Sequence, residues 1–262
     1  SARSMNTQRD RRFTIMLTPF MSCGAKVPIY ALFTRAFFGG NQVLVMSVLY
    51  LTGIVMAVLA GLVLKRFVFH GDASPFLMEL PKYRLPTVRN VARQLWDKGG
   101  DFVKRAFTVI FLATLVVWFL QSFTFSLKAA PDVESSILGA IAGLLTPLFI
   151  PAGFGNVAAT TAALTGIMAK ESVVSTLAVL SGVDAQSAQM LDAVRAVFPS
   201  VLAAVSYLIF VLLYMPCVAA FAAMRREMES GTVAFLTVLS QTGLAWVLAV
   251  LVYQLGSLLG LG

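Results

Sequence analysis

Residues 43–64 carry no charged side chain across 22 positions. As a helix, that run spans about 33 Å at about 1.5 Å per residue, the thickness of a bilayer's hydrocarbon core. A chain containing it must bury the run in lipid or in a very large protein core. Runs at 106–127, 198–224 and 232–259 have the same character. Residues 156–180 join them except for Lys170-Glu171. Two further stretches are apolar but proline-broken: 13–38 holds Pro19, Lys26 and Pro28, and 137–151 holds Pro147.

Composition agrees. Hydrophobic residues make up 58% and charged residues 12%, against roughly 45–50% and about 25% in soluble domains. A soluble globular domain and a disordered chain are excluded. The apolar runs are continuous and do not alternate, which argues against a β-barrel. The expected fold is all-α: a polytopic transmembrane bundle with proline-broken or re-entrant segments.

The formal charge of +8 reflects topology, not nucleic-acid binding. The segment 65–105 holds Lys65, Arg66, Lys82, Arg84, Arg89, Arg93, Lys98, Lys104 and Arg105, which places it in the cytoplasm. Arg3, Arg9, Arg11 and Arg12 belong on the same side, as do Arg225 and Arg226. The loop around Asp132 and Glu134 faces outward, as does the base-poor stretch 184–195. These assignments require 13–38 to cross as a broken helix. They require 137–180 to form a hairpin turning at Pro151-Ala152-Gly153-Phe154-Gly155, with the C-terminus outside.

Within the cytoplasmic segment, Thr87 is an expected N-cap. Val88, Val91, Ala92, Leu95 and Trp96 recur at helical spacing, with Arg89 and Arg93 opposite, until Gly99-Gly100 ends the helix. Such a helix either lies in the membrane interface or packs on the bundle's cytoplasmic end.

Three places put chemistry inside apolar segments. Lys170-Glu171 costs about 2.5–3.5 kcal/mol per ionised group in lipid. On one helix, neighbours project about 100° apart, so each member needs its own partner. Glu171 is a candidate cation ligand or proton acceptor, or else a structural partner of Lys26. Cys23 sits between Pro19 and Pro28 beside Met21. The prolines and Gly24 unwind the backbone there, which is tolerated only where protein or a watery cavity takes the freed carbonyls. Cys217 follows Met215-Pro216, and Pro216 removes the helical hydrogen bond to the Leu212 carbonyl. Paired thiols and thioethers suit a softer divalent metal such as Fe²⁺ better than Na⁺ or Mg²⁺. Singly, each cysteine reads as a small apolar residue.

Two cysteines and one histidine make neither a disulfide framework nor a zinc finger. His70 reads as interfacial. No phosphate-binding loop, zinc-protease motif or nucleophile elbow is present in the sequence, so an enzyme is not expected.

Four motifs in order resemble the C-terminal transmembrane half of the bacterial ferrous iron transport protein B family. They are Arg9 to Lys26, Leu80-Pro81-Lys82-Tyr83-Arg84-Leu85-Pro86, Leu164 to Glu171, and Tyr214-Met215-Pro216-Cys217. The first and third are similar to that family's gate motifs. The resemblance implies Fe²⁺ as substrate, no permanently bound cofactor and a place in the bacterial inner membrane. It implies metal contacts at Cys23 and Cys217; from their own chemistry, Met21 and Met215 are expected as weaker sulfur contacts and Glu171 as charge compensation. Lys170 and Lys26 would then serve gating or charge compensation, with Lys170 held by a carbonyl or carboxylate.

It further implies that the chain is a fragment beginning inside a gate motif. An N-terminal G-protein domain, using GTP and Mg²⁺, and earlier membrane segments would be its missing partners. Membrane lipid, small cytoplasmic accessory proteins and a homo-oligomer are further partners it allows; nucleic acid is not one. The expected division is 1–38 partial first gate, 39–68 transmembrane helix, 69–105 cytoplasmic loop, 106–128 transmembrane helix, 129–196 second gate region and 197–262 two last helices. Two other readings stay open. A nucleoside-type gate would use Asn156, Phe154 and Tyr214 at the breaks. A membrane interaction module would use its polar residues as interhelical glue.

Overall fold

A computed structural model describes residues 7–67, 87–105, 107–108 and 111–260. His70, the motif Leu80 to Pro86 and residues 106, 109 and 110 of the 106–127 run lie outside the described residues. Twelve α-helices are present among those described, and no strand beyond one isolated bridge, Phe123 to Ala129.

The first broken segment is α1 (Gln8–Leu17), an irregular stretch, and α2 (Val27–Phe37). Thr7 caps α1 by accepting the Asp10 N–H at 3.1 Å. Helix α3 (Gln42–Phe67) is the long uncharged run. Its outer face is apolar and exposed, as a lipid-facing helix requires. Gly53 and Gly61 let it approach the Phe20 carbonyl and the Leu17 side chain.

Helix α4 (Val88–Arg105) runs straight through Gly99-Gly100, which does not end it as expected. A glycine pair costs only about 1 kcal/mol per residue in a helix interior. Val88, Leu95 and Trp96 are exposed, Trp96 by 82%, so this face does not pack on the described bundle.

Helix α5 (Phe111–Ser122) ends five residues before the apolar run does. Backbone bonds Thr124 N–H to Lys128 O (3.0 Å) and Ala130 N–H to Ser122 O (2.8 Å) turn the chain, with Leu127 at φ 55°.

Helices α6 (Ile137–Phe149) and α7 (Val157–Met168) meet at 105°. The turn falls at Ile150 to Asn156, within the expected hairpin. Gly153 has φ 83°, and a Cβ there would strike the Tyr253 ring. Only glycine satisfies both conditions. Asn156 caps α7 through the Ala159 N–H.

The run 156–180 is not one helix. Ala169 is extended, and α8 (Ser172–Leu180) begins after Glu171. Thr176 Oγ1 donates to Thr165 Oγ1 at 3.0 Å. In one continuous helix those residues would lie about 16 Å apart along the axis, so α8 doubles back on α7.

The base-poor stretch contains α9 (Gln189–Val197), tied down by Arg195 Nε donating to the Ala36 carbonyl at 2.7 Å. The 198–224 run is likewise two helices, α10 (Val201–Leu213) and α11 (Val218–Met228). Helix α12 (Gly231–Leu258) follows after Glu229 at φ 55°.

Four segments are long and apolar enough to cross a membrane: Gln8–Phe37, Gln42–Phe67, Val201–Met228 and Gly231–Leu258. The bent pair adds a fifth if counted as one span. Arg11 of α1 donates to the Glu227 carbonyl at 2.6 Å and pairs with Glu229 at 2.9 Å. The two basic clusters assigned to the cytoplasm therefore share one end of the bundle.

Candidate functional site

Three helix breaks meet inside the bundle. The first spans Thr18 to Lys26. Pro19 cannot donate, and the chain passes from a 3₁₀ turn through extended Met21 and Cys23 (φ −96°, ψ 162°) into a second 3₁₀ turn at Gly24–Lys26. The second break is Ala169-Lys170-Glu171. The third is Tyr214 to Cys217, where both end residues are extended.

The breaks are joined by side chains. Lys26 is 3% exposed, and its Nζ donates to the Leu212 carbonyl at 2.7 Å. That carbonyl would have bonded the N–H of residue 216, which proline lacks. Lys170 is 2% exposed, and its Nζ lies 3.2 Å from the centroid of the Tyr214 ring. Tyr214 Oη donates to the Ala163 carbonyl at 3.2 Å, which fixes the ring. Lys170 was expected on a carbonyl or carboxylate. Instead it rests on an aromatic face and has no hydrogen-bond partner.

A cavity of about 370 Å³ lies between these breaks. Cys23, Lys26, Lys170, Cys217 and Met21 line it, and it extends along α11 past Ala220 and Met224 to Glu227. Cys23 is exposed and Cys217 partly so; neither forms a disulfide. Beyond Lys170, which rests on the Tyr214 ring, lies a row of packed rings. Tyr214 stacks on Phe210 (4.9 Å), and Phe154, Tyr207, Phe198 and Phe33 continue the buried array.

Five of the sequence-derived site residues thus come together: Cys23, Cys217, Met21, Lys26 and Lys170. Met215 does not line the cavity and packs against the hydrophobic clusters. Glu171 is exposed and also lies off the lining. Within the same break Lys170 turns inward and is buried while Glu171 is exposed. Arg89, Arg93 and Trp96 sit on α4, all exposed. Among the described residues, no group of three His, Cys, Asp or Glu could hold a metal ion.

Sequence reasoning missed Glu227 and the Leu212 carbonyl. The signal for Glu227 was its spacing: 217, 220, 224 and 227 share one helical face of α11. The Leu212 carbonyl was flagged as freed, but its partner could not be read from the sequence.

Asn156 is consumed by the fold. Its Oδ1 caps α7, and its Nδ2 donates to the Val197 carbonyl at 2.9 Å. Phe154 and Tyr214 are buried in the ring array.

Several apolar spans with interrupted helices around a cavity that holds two lysines and two thiols define a polytopic membrane protein with broken spans. Comparison with known proteins gives the particular family. Residues 46–98 match the model described as "Ferrous iron transport protein B C terminus", and residues 103–231 match "Nucleoside recognition". The Fe(2+) transporter FeoB of Shigella flexneri is 36% identical over a 307-residue alignment, covering 98% of this chain and 40% of that protein. The FeoB proteins of Escherichia coli strain K12 (36%) and Salmonella typhi (37%) match over the same shares. Along nearly its whole length the chain therefore resembles the C-terminal transmembrane half of the ferrous iron transport protein B family. It is a multi-pass protein of the bacterial inner membrane. It spans about 40% of the length of the curated relatives it matches. No solved structure matches it.

Proposed function

We propose that the chain forms the permease portion of a ferrous iron transporter. Cys23 and Cys217 provide transient sulfur contacts to Fe²⁺, with Met21 beside them. The observation that carries this reading is that both cysteines of the chain line one cavity where three helix breaks meet. Soft sulfur ligands suit a borderline divalent ion. A two-thiol set without a third strong ligand binds loosely, and a passing ion must leave. The cavity's extension to Glu227, at the end marked by Arg225 and Arg226, makes this an inward-facing arrangement. The ring array from Tyr214 to Phe33 closes the outward side. Nothing in the reading calls for catalysis by this chain. Nucleotide hydrolysis, as the resemblance implies it, belongs to a G-protein domain outside these residues.

The test is anaerobic Fe²⁺ uptake by cells lacking their own ferrous transporter. They would carry the longest natural polypeptide that contains this chain, as wild type, Cys23→Ser or Cys217→Ser at equal membrane abundance. Uptake by wild type that falls several-fold in each mutant supports the path. Unchanged uptake in both mutants removes the ligand role.

A nucleoside path is the second reading, and the match to the nucleoside-recognition model favours it. Against it, Asn156 has both amide ends engaged, and Phe154 and Tyr214 are packed. Uptake of labelled uridine or adenosine in the same cells, unaffected by Cys217→Ser, would favour it over iron.

A further inference from the structure

The cavity has a charge problem. Two lysines line it, and Glu227 is the one carboxylate among its lining residues. Glu227 lies ten residues along α11 from Cys217, about 15 Å away at helical rise. A divalent cation between the thiols would share the cavity with two lysine side chains, which repel it whenever they are protonated, and low dielectric strengthens that repulsion.

The ammonium groups themselves want more than they have. Lys170 Nζ carries three donors and is buried with an aromatic face but no hydrogen-bond acceptor. A buried amine with no acceptor for its N–H groups is costly, most of all when protonated, so that position calls for an acceptor. Lys26 has its bond to Leu212 and two further donors.

A third positive element points the same way. Helix α11 has 11 residues, and its N-cap Cys217 makes no side-chain cap bond. Its N-cap Cys217 and first-turn Ala220 both line the cavity. Such a helix start favours an anion through both its N–H groups and its dipole.

We propose that this cavity binds a small anion, of the halide or carboxylate class, between Lys170, Lys26 and the first turn of α11. The anion acts as counter-ion to the cation at the cysteines. Its role as counter-ion rests on the ferrous reading above; its binding does not. With it in place, Lys170 gains its acceptor and the cation gains a neighbour of opposite charge.

The test uses the longest natural polypeptide that contains this chain, in phosphatidylcholine nanodiscs, with gluconate as the bulky reference anion. Chloride and acetate are the probes. Saturable broadening of the ³⁵Cl resonance is expected for wild type, competed by acetate and lost in Lys170→Met, with Lys170→Arg retaining it. Anaerobic Fe²⁺ binding should be at least about tenfold tighter in chloride than in gluconate, and independent of the anion in Lys170→Met. The proposal is overturned if wild type shows no saturable chloride broadening. It is equally overturned if the broadening persists unchanged in both Lys170→Met and Lys26→Met, since the anion then sits elsewhere. Should Lys170→Met fail to fold, the wild-type anion series and Lys26→Met decide. Anion binding in wild type with no Fe²⁺ binding in any medium would sustain the anion site and overturn the ferrous reading alone.

Discussion

Lys26 Nζ donates at 2.7 Å to the Leu212 carbonyl, the group that Pro216 leaves without its helical partner. One break thus supplies the cation and the other the acceptor, 186 residues apart in sequence. Two costs cancel: a buried ammonium needs an acceptor, and a freed carbonyl needs a donor. The bond also holds the first and third breaks in register around the two thiols.

Pro216→Ala tests that coupling. The new N–H at 216 can bond the Leu212 carbonyl and compete with Lys26. Removing proline also lifts a helix penalty of about 3 kcal/mol. The expected outcome is hydrogen-exchange protection of the residue 216 amide and Fe²⁺ uptake reduced several-fold at equal abundance. An exposed, fast-exchanging 216 amide with normal uptake would show that the break survives without proline.

Gly166 is where α7 passes Tyr214. A Cβ there would meet Tyr214 Oη and Val173 Cγ2. Gly166→Ala should therefore displace the ring on which Lys170 rests, at about 1–3 kcal/mol of stability, the usual cost of overpacking. A lower thermal midpoint in detergent, together with reduced uptake, is the expected result. An unchanged midpoint would mean that α7 and α8 shift freely there.

The cysteines differ in access. Cys23 is exposed and Cys217 partly so, on a cavity that runs to Glu227 at the end carrying Arg225 and Arg226. A membrane-impermeant maleimide should label Cys23 faster than Cys217, and both faster in inverted than in right-side-out vesicles. Cd²⁺ should slow both reactions if the thiols share an ion. Labelling without sidedness would contradict an inward-facing cavity.

Helix α4 leaves Trp96 82% exposed beside Val88 and Leu95. With Arg89 and Arg93 on the same helix, an interfacial position in lipid accounts for that face. Lipid brominated near the glycerol should quench the part of the emission that Trp96→Phe removes. Quenching by aqueous iodide in its place would put the helix in water.

Much of the bundle was legible because lipid imposes a simple rule. Long uncharged runs gave α3, closed by Lys65-Arg66, and α12 to within a few residues. Proline and glycine marked the breaks at Cys23 and Pro216 and the turn at Gly153. The Ala169–Glu171 break was not legible, because it holds no proline or glycine. The early end of α5 was equally hidden, since its apolar run continues to Leu127.

The sequence by itself determined that this chain lives in a membrane, which end carries the basic clusters, and which residues could not be regular helix. Those are local consequences of side-chain solvation and of proline's missing N–H. Only the tertiary structure decided what the breaks do together. It brought Cys23, Lys26, Lys170 and Cys217 to one cavity, and left Glu171 and Met215 outside its lining. The physical reason is that a broken helix leaves its carbonyls and charges looking for partners. Which partner each one finds depends on how segments far apart in the chain pack, as Lys26 on Leu212 and Lys170 on Tyr214 show.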